Sequence, residues 1–222
     1  MQIPFYYDYA CPWAYLGSCR VEPYFADLGV EIDFRPVILA KLKEPTAGNG
    51  LPLGERKKHN YIADLKHWAE MVGAEFSLDA AALMSTDPRL LLRAALVAKE
   101  QGRFREFHYP AYRARWAEAR DISQPEVVRS LLEGAGLDAA AALERARSEE
   151  IGERLARDTQ DAIERGVFGV PTIFVGDKMF WGNDRFELVR YYLQKQASPG
   201  AGSAGSARAH ARHATSCEPE SS

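Results

Sequence analysis

The chain has few cysteines, and none where the second member of a redox pair would stand. Only 3 cysteines occur among its 222 residues, at positions 11, 19 and 217, an odd number without the spacing of a disulfide framework. In Cys11-Pro12-Trp13-Ala14, alanine occupies the place of the second cysteine of a Cys-x-x-Cys motif. Disulfide chemistry at Cys11 would therefore need a second thiol from elsewhere, such as a small diffusible one.

Other features that the sequence lacks exclude several classes of protein. The formal net charge is -3, and the arginines are scattered instead of clustered with aromatic residues, so we expect no nucleic-acid partner. No apolar run approaches the ~20 residues of a membrane span, and the chain does not start with a basic region followed by an apolar core. We therefore expect a cytoplasmic protein without a membrane partner. The spacing of His210, His213 and Cys217 is attributed to chance, so no metal site is predicted.

The start of the chain predicts a strand, a helix and a second strand. Residues 3–7 are short, apolar and aromatic, which is typical of a buried strand. From Pro12, apolar residues recur largely at steps of three and four until Gly29, as on the buried face of a helix. Residues 30–37 then alternate between apolar and polar side chains, with the two-residue period of a strand.

Helix signals dominate the middle of the chain, from about residue 55 to residue 166. Asp87-Pro88 is expected to begin one helix. Ser123-Gln124-Pro125-Glu126 has the pattern of a capping box at the start of another, and Asp138 is expected to cap a third. A further helix is expected over residues 151–165. We interpret this segment as a helical insertion subdomain of four or five helices.

After the helical segment the pattern returns to strands. Residues 172–175 and 179–181 are short apolar runs joined by Gly176-Asp177, which predicts a β-hairpin. Asn183-Asp184 is expected to cap a last helix. From residue 198 onward the sequence has no apolar period, so we expect a disordered tail over residues 198–222.

This order of elements predicts an α/β protein with a thioredoxin-like fold, in one domain over residues 1–197 with an insertion at about 55–166. Cys11 would lie at the start of the first helix, where unpaired N–H groups and the helix dipole favour a thiolate. Val170-Pro171 would lie at the entry to the hairpin. It is a candidate cis peptide that turns the backbone N–H and C=O of Val170 toward Cys11. Those two groups could pair with an extended peptide.

Motifs spread over about residues 3 to 195 carry a resemblance to a known family. They are Tyr7-Asp8-x-x-Cys11-Pro12-Trp13-x-Tyr15-Leu16-Gly17, Tyr61-x-x-Asp64-x-x-x-Trp68-Ala69, Arg93-Ala94-Ala95, Trp116-x-x-x-Arg120-Asp121-Ile122, Gly166-Val167-Phe168-Gly169-Val170-Pro171-Thr172 and Trp181-Gly182-Asn183-Asp184-Arg185. This set resembles 2-hydroxychromene-2-carboxylate isomerase and its relatives, the kappa-class glutathione transferases, and more distantly the DsbA group. The resemblance implies a thioredoxin-like fold of the DsbA or kappa type and a glutathione-dependent reaction.

The resemblance also implies where glutathione binds. Glutathione would lie beside Cys11, the implied catalytic residue, and would pair through its cysteinyl unit with the backbone of Val170. The implied cofactor-binding residues are Val170, Pro171, Trp181, Gly182, Asn183 and Asp184. A carboxylate such as Asp184 suits the ammonium group of the tripeptide. Lys43 falls where the family has a substrate-contacting lysine, whose charge suits a pyruvate-like carboxylate.

Two departures from the family bear on the chemistry. In the implied isomerase reaction the glutathione thiolate adds to a conjugated double bond, bond rotation follows, and the thiolate is eliminated. The well-studied members have serine at the position of Cys11, and a thiol is a weaker donor than a hydroxyl. An ionised Cys11 would instead favour a mixed disulfide with glutathione. Pro52-Leu53 stands where the family tends to have polar substrate contacts, so the identity of the substrate stays open.

Three functions are therefore compatible with the sequence. The leading one is a glutathione-dependent isomerase or kappa-type transferase that acts on a small aromatic α,β-unsaturated compound. The alternative is a DsbA-family thiol:disulfide oxidoreductase that uses Cys11 as a monothiol nucleophile. The third is a glutathione-binding module whose helical insertion recognises a protein. The dimers of the family favour a homodimer.

Overall fold

The structure, a computed structural model, describes residues 1–42, 55–77, 79 and 86–197. The tail predicted at 198–222 and the predicted substrate contact Lys43 lie outside the described residues. Pro52-Leu53 lies outside them as well.

Four strands form one mixed sheet. They are β1 Gln2–Tyr7, β2 Glu31–Pro36, β3 Thr172–Val175 and β4 Lys178–Trp181. Their order in the sheet is β2-β1-β3-β4, with β1 parallel to β2 and antiparallel to β3, and β3 antiparallel to β4. The predicted first two strands and the predicted hairpin are confirmed. Gly176 in the hairpin turn has a φ of 59°, a conformation that glycine adopts without a steric cost.

Helices precede, separate and follow these strands. They are α1 Pro12–Phe25, α2 Leu39–Leu42, α3 Glu55–Val72, α4 Arg89–Glu100, α5 Phe104–Trp116, α6 Pro125–Gly134, α7 Ala139–Arg147, α8 Glu149–Glu164 and α9 Phe186–Ala197. Six of those in the described part of the chain, α3 to α8, lie between residues 55 and 166, so the expected four or five is too few. The α5 helix carries no side-chain cap and contains Pro110, so its sequence has no clear start signal and includes a residue that normally breaks helices.

The capping box predicted at the start of α6 is wrong. The N-cap residue is Gln124, and its side chain makes no capping hydrogen bond. The Ser123 hydroxyl donates instead to Oδ1 of Asp121 at 2.7 Å. Pro125 is the first residue of the helix, and its fixed φ suits that position without any N–H to satisfy.

The other two predicted caps have different outcomes. Asp138 is the N-cap of α7, and its carboxylate accepts hydrogen bonds from the backbone N–H groups two and three residues on, each at 3.1 Å. Asn183 and Asp184 lie within a 3-10 turn, Asn183–Arg185, that runs directly into α9. Helical structure therefore starts at Asn183 itself instead of after it.

One hydrophobic core joins the sheet to the helical insertion. Buried side chains of β1, α1, α4, α5 and α8 belong to a single connected cluster. Phe5, Leu16, Leu92, Phe107 and Leu155, one from each of these elements, are at most 1% exposed. The insertion is therefore packed into the same core as the sheet, and this packing holds α5 behind the loop that carries Cys11.

We expect Leu92→Ala to lower the free energy of unfolding by about 2–5 kcal/mol, because it leaves a cavity in this shared core. Leu188→Ala, at a half-exposed position of α9, should change it by no more than about 0.5 kcal/mol. Urea unfolding followed by tryptophan fluorescence and by circular dichroism measures both variants. The two signals should coincide for each; separate transitions would contradict a shared core.

Candidate functional site

A cavity of about 330 Å³ lies where β3 begins and β4 ends, between these strands and the helices α1 and α3. Its volume falls in the range of roughly 300–1,000 Å³ that is typical of small-molecule sites. The wall is formed by Trp13, Asp64, Trp68, Val170, Pro171, Trp181, Gly182, Asn183, Asp184 and Arg185. All six residues that the family resemblance implies for glutathione binding thus line one cavity, although they come from two separate segments. That they bind glutathione stays a prediction.

Cys11 lies next to this wall. It is the N-cap residue of α1, with an extended backbone (φ -103°, ψ 114°) and no side-chain capping bond. Its thiol donates a hydrogen bond to the carbonyl oxygen of Val170 at 3.2 Å, and the Val170-Pro171 peptide is cis. The side chain is buried, with 7% exposed. The predicted approach of the Val170 carbonyl to Cys11 is therefore present.

Two glycines let the segments of the wall approach each other closely. Gly182 has φ 113° and ψ 147°, a region that is essentially restricted to glycine, and its N–H donates to the carbonyl of Pro171 at 2.9 Å. A Cβ on Gly182 would collide with Oδ1 of Asp184. A Cβ on Gly169 would lie 2.7 Å from Nε1 of Trp181. Side chains at either position would displace residues of the cavity wall.

Asn183 carries an unsatisfied polar group at the cavity wall. The residue is 3% exposed, and its Nδ2 has no hydrogen-bond partner among the described residues. A buried donor without an acceptor costs about 1–3 kcal/mol, and an acceptor on a bound ligand would remove that cost. Nδ2 itself is closed off from solvent, so a bound ligand could accept from it only if the amide turned toward the cavity.

Arg20 holds this part of the wall in place. Its Nη1 donates to the backbone carbonyl of Asn183 at 3.2 Å, and its guanidinium lies over the rings of Trp68 and Phe186 at 5.2 and 4.7 Å. Burial lowers the pKa of Arg20 below its ordinary value. Arg20 was not predicted from the sequence, because an arginine in an amphipathic helix normally belongs to the solvated face.

The α3 helix closes the cavity opposite the strands. Asp64 and Trp68 of α3 lie in the wall, and Tyr61 packs edge-on against Trp13 with their ring centres 5.6 Å apart. Burial, with a smaller contribution from Cys11, raises the pKa of Tyr61 to about 12. Its phenol is therefore neutral at physiological pH. Tyr61, Asp64 and Trp68 belong to a motif of the family resemblance, but no role was predicted for them.

Charged side chains reach the wall from two elements. Arg185 donates to Asp184 at 2.8 Å, and both side chains are about half exposed. Together with Asp64 of α3, they place two carboxylates and a guanidinium around the same cavity. Such a set can pair with a ligand that carries both ammonium and carboxylate groups.

The α5 helix supports the loop in front of Cys11 from behind. Trp116 donates to the carbonyl of Tyr9 at 2.9 Å, and Tyr112 donates to the carbonyl of Asp8 at 3.1 Å. His108 lies 3.0 Å from the Tyr9 hydroxyl through Nδ1, and burial lowers the pKa of His108 to about 3. It is therefore a neutral structural residue. The sequence signal for this support, which we missed, is the recurrence of aromatic side chains every four positions along α5.

Neither a membrane-spanning helix nor a metal-binding group occurs among the described residues. None of their helices is both long enough and apolar enough to cross a bilayer. In the same ranges, no three His, Cys, Asp or Glu side chains are grouped as they would be around a metal ion.

Comparison with known proteins finds a matching family and several relatives of similar sequence. The family model of the DSBA-like thioredoxin domain matches residues 2–194. The curated 2-hydroxychromene-2-carboxylate isomerase of Sphingobium xenophagum is 32% identical over 194 residues, a match that covers 86% of this chain and 97% of that protein. Glutathione S-transferase kappa 1 of Homo sapiens is 24% identical over 208 residues, which covers 86% of this chain and 90% of that protein.

A solved structure shares the fold at similar coverage. The structure of a 2-hydroxychromene-2-carboxylate isomerase superposes on this chain with a TM-score of 0.75 and 29% sequence identity. The superposition covers 90% of this chain and 97% of that one. The similarity therefore includes the helical insertion as well as the sheet.

We expect Gly182→Ala to destabilise the protein by about 1–3 kcal/mol, because alanine must adopt a conformation open only to glycine and must displace Asp184. Gly134→Ala is the matched control: Gly134 ends α6, and an added Cβ there would meet nothing within 4 Å. It should be neutral or stabilising by up to about 1 kcal/mol. Thermal and urea unfolding measure both, and equal effects would contradict the close packing at Gly182.

Proposed function

The chain belongs to the DSBA-like thioredoxin domain family and, within it, to the 2-hydroxychromene-2-carboxylate isomerases, and from this membership we propose that it is a glutathione-dependent isomerase. The substrate is a small aromatic compound with an α,β-unsaturated carbonyl, and the first choice is the ring-opened keto form of 2-hydroxychromene-2-carboxylate, the compound that the names of the relatives contain. Opening breaks the ring C–O bond and converts the hemiketal hydroxyl to the carbonyl. The observation that supports the proposal most strongly is the single cavity whose wall contains Val170, Asn183 and Asp184 next to the thiol of Cys11.

The residues of the cavity fit glutathione. The tripeptide carries an ammonium group, carboxylates, amide groups and a thiol. Asp184 and Asp64 suit the ammonium group, Arg185 suits a carboxylate, and Asn183 contributes an amide, which can serve donors and acceptors alike. The cavity at about 330 Å³ is open to solvent along exposed residues such as Trp181, which is 52% exposed.

Bound glutathione would supply a thiolate that adds reversibly to a conjugated double bond and leaves unchanged after bond rotation. The protein has to hold that sulfur and stabilise its negative charge. The N-terminus of α1 favours an anion in front of Cys11. The Cys11 thiol donates its single proton to the Val170 carbonyl in this structure, and rotation about the Cβ–Sγ bond would redirect that proton to a neighbouring sulfur. The neutral phenol of Tyr61 adds no competing charge.

A kappa-type transferase would use the same glutathione site with a different electrophile. In that case the thiolate stays on the substrate instead of being eliminated, so glutathione is consumed. The stoichiometry of glutathione separates the two activities. The homodimer and the cytoplasmic location expected from the sequence stay predictions.

Isothermal titration calorimetry should show saturable binding of glutathione to the wild-type protein. Asp184→Asn should weaken it about tenfold, because a charged hydrogen bond to the ammonium group contributes roughly 1.5–3 kcal/mol and this carboxylate is half exposed. Asp177→Asn, in the exposed hairpin turn, should leave the affinity unchanged. A protein that binds no glutathione would sink the proposal.

Cys11→Ser should retain isomerase activity within about tenfold of the wild type, since a hydroxyl can replace the thiol as donor. Cys11→Ala, which has no donor, should lower kcat by about ten- to a hundredfold. The assay follows the absorbance of 2-hydroxychromene-2-carboxylate with and without glutathione.

The same variants test the alternative function. A thiol:disulfide oxidoreductase that uses Cys11 as its nucleophile would lose all activity in Cys11→Ser. If Cys11→Ser abolishes turnover in the thiol:disulfide exchange reaction while glutathione still binds, the oxidoreductase is favoured. Glutathione binding by the wild type without turnover of any enone would favour a binding module.

A further inference from the structure

Asp8 is a buried carboxylate three residues before Cys11, to which the proposed function assigns no role. It follows β1 and is 1% exposed. Buried carboxylates are costly unless they are paired or hydrogen-bonded, and Asp8 forms no ion pair among the described residues. Its two oxygens are satisfied by backbone N–H groups. Oδ1 accepts from Ala10 and Oδ2 accepts from Leu39, each at 2.8 Å.

These two hydrogen bonds join segments on either side of the site. Ala10 belongs to the turn that leads to Cys11, and Leu39 is the first residue of α2, Leu39–Leu42, which comes directly before position 43 in the sequence. The backbone carbonyl of Asp8 accepts from the N–H of Cys11 at 3.0 Å. Asp8 thus holds the Cys11 turn with both its main chain and its side chain.

Only the ionised form of Asp8 can make both side-chain bonds well. Each carboxylate oxygen faces an N–H donor. A protonated carboxyl places its own O–H on one of these oxygens, which makes that oxygen a poor acceptor and adds a donor that needs a partner. Protonation therefore leaves Ala10 or Leu39 without a good acceptor.

The surroundings of Asp8 bring the pH at which it is protonated close to the physiological range. Burial raises its pKa to about 6, the two backbone hydrogen bonds partly oppose this shift, and nearby Asp87 adds to it. The titratable groups that face it are Tyr7, Tyr9, Tyr112 and Asp87. Burial raises the pKa of all three tyrosines far above neutrality, so they stay uncharged.

We propose that Asp8 is a positioning residue for the isomerase reaction, and that its carboxylate holds the turn that carries Cys11 in place against the start of α2. The catalytic part of this proposal rests on the proposed function, whereas the link between the two segments does not. Misplacement of reacting groups by a fraction of an ångström to one ångström lowers rates ten- to a hundredfold. Asp8 acts through Cys11 and α2 and does not itself touch the substrate.

When Asp8 is protonated, the stability of the protein should rise and its activity should fall. The pKa of Asp8 is higher in the folded protein than the ordinary value of 3.8, so the folded state binds this proton more tightly than the unfolded state does. The contribution of Asp8 to stability therefore grows as pH falls from 7 toward 4. One of the two positioning bonds is lost over the same interval. A purely structural role would not produce activity and stability that change in opposite directions.

The first test uses the wild-type protein without glutathione. NMR spectra of the 15N-labelled full chain between pH 5 and 8 should show the amide protons of Ala10 and Leu39 titrating together, with a common midpoint near pH 6. Asp8→Asn should abolish both titrations. Amide shifts that do not change over this range, or that change with unrelated midpoints, would overturn the proposal without any variant having to fold.

The second test measures turnover. At neutral pH, Asp8→Asn should lower kcat about ten- to a hundredfold. The KM for glutathione should change by less than about twofold, because Asp8 is not part of the cavity wall where glutathione is proposed to bind. Wild-type kcat should fall about tenfold one pH unit below the midpoint, and Asp8→Asn should lack this dependence. Asp177→Asn should match the wild type in both respects.

The outcomes separate the two proposals. An Asp8→Asn variant with wild-type kcat and an unchanged pH profile would overturn the positioning role. Wild-type protein that shows no glutathione-dependent turnover would overturn the proposed function, whatever the amide titrations show.

Discussion

The hydrogen bond from the Cys11 thiol to the Val170 carbonyl, 3.2 Å long, brings together the two segments on which the site depends. These residues are 159 positions apart, and the sheet makes their meeting possible. Because β1 and β3 are antiparallel neighbours with Tyr6 opposite Thr172, the last residue of β1 and the first residue of β3 lie at the same end of the sheet. The turn that follows β1 and the peptide that precedes β3 therefore come into contact, and the cavity forms beside them.

The helical insertion completes what the sheet begins. The α3 helix supplies Asp64 and Trp68 to the cavity wall, and α5 donates hydrogen bonds to the backbone carbonyls of Asp8 and Tyr9. Because the insertion shares one core with the sheet, these contacts are held by packing and not only by a few polar bonds. The site thus depends on burial over the whole domain.

Apart from the buried carboxylate of Asp8, the side chains around Cys11 are neutral hydrogen-bonding groups. Burial keeps His108 and Tyr61 neutral at physiological pH, and the Cys11 thiol acts as a donor. Charge is found further along the wall, on Asp184 and Arg185. This division suits a ligand that brings its own reactive sulfur to Cys11 and is held by its charged ends. The absence of a second cysteine at position 14 is consistent with such a ligand.

The sequence by itself determined the order of elements, because alternation, helical periodicity and turn residues such as Gly176-Asp177 are local signals. Its motifs also predicted Cys11, Val170 and Asn183 as site residues, which stays a prediction, and it correctly predicted the cis peptide before Pro171. It misassigned the cap at Ser123 and missed Arg20 and the donors of α5. Only the tertiary structure decided which α3 residues close the cavity and which buried groups support the Cys11 turn. These contacts depend on the packing of helices against the sheet, which side-chain spacing along one chain does not encode.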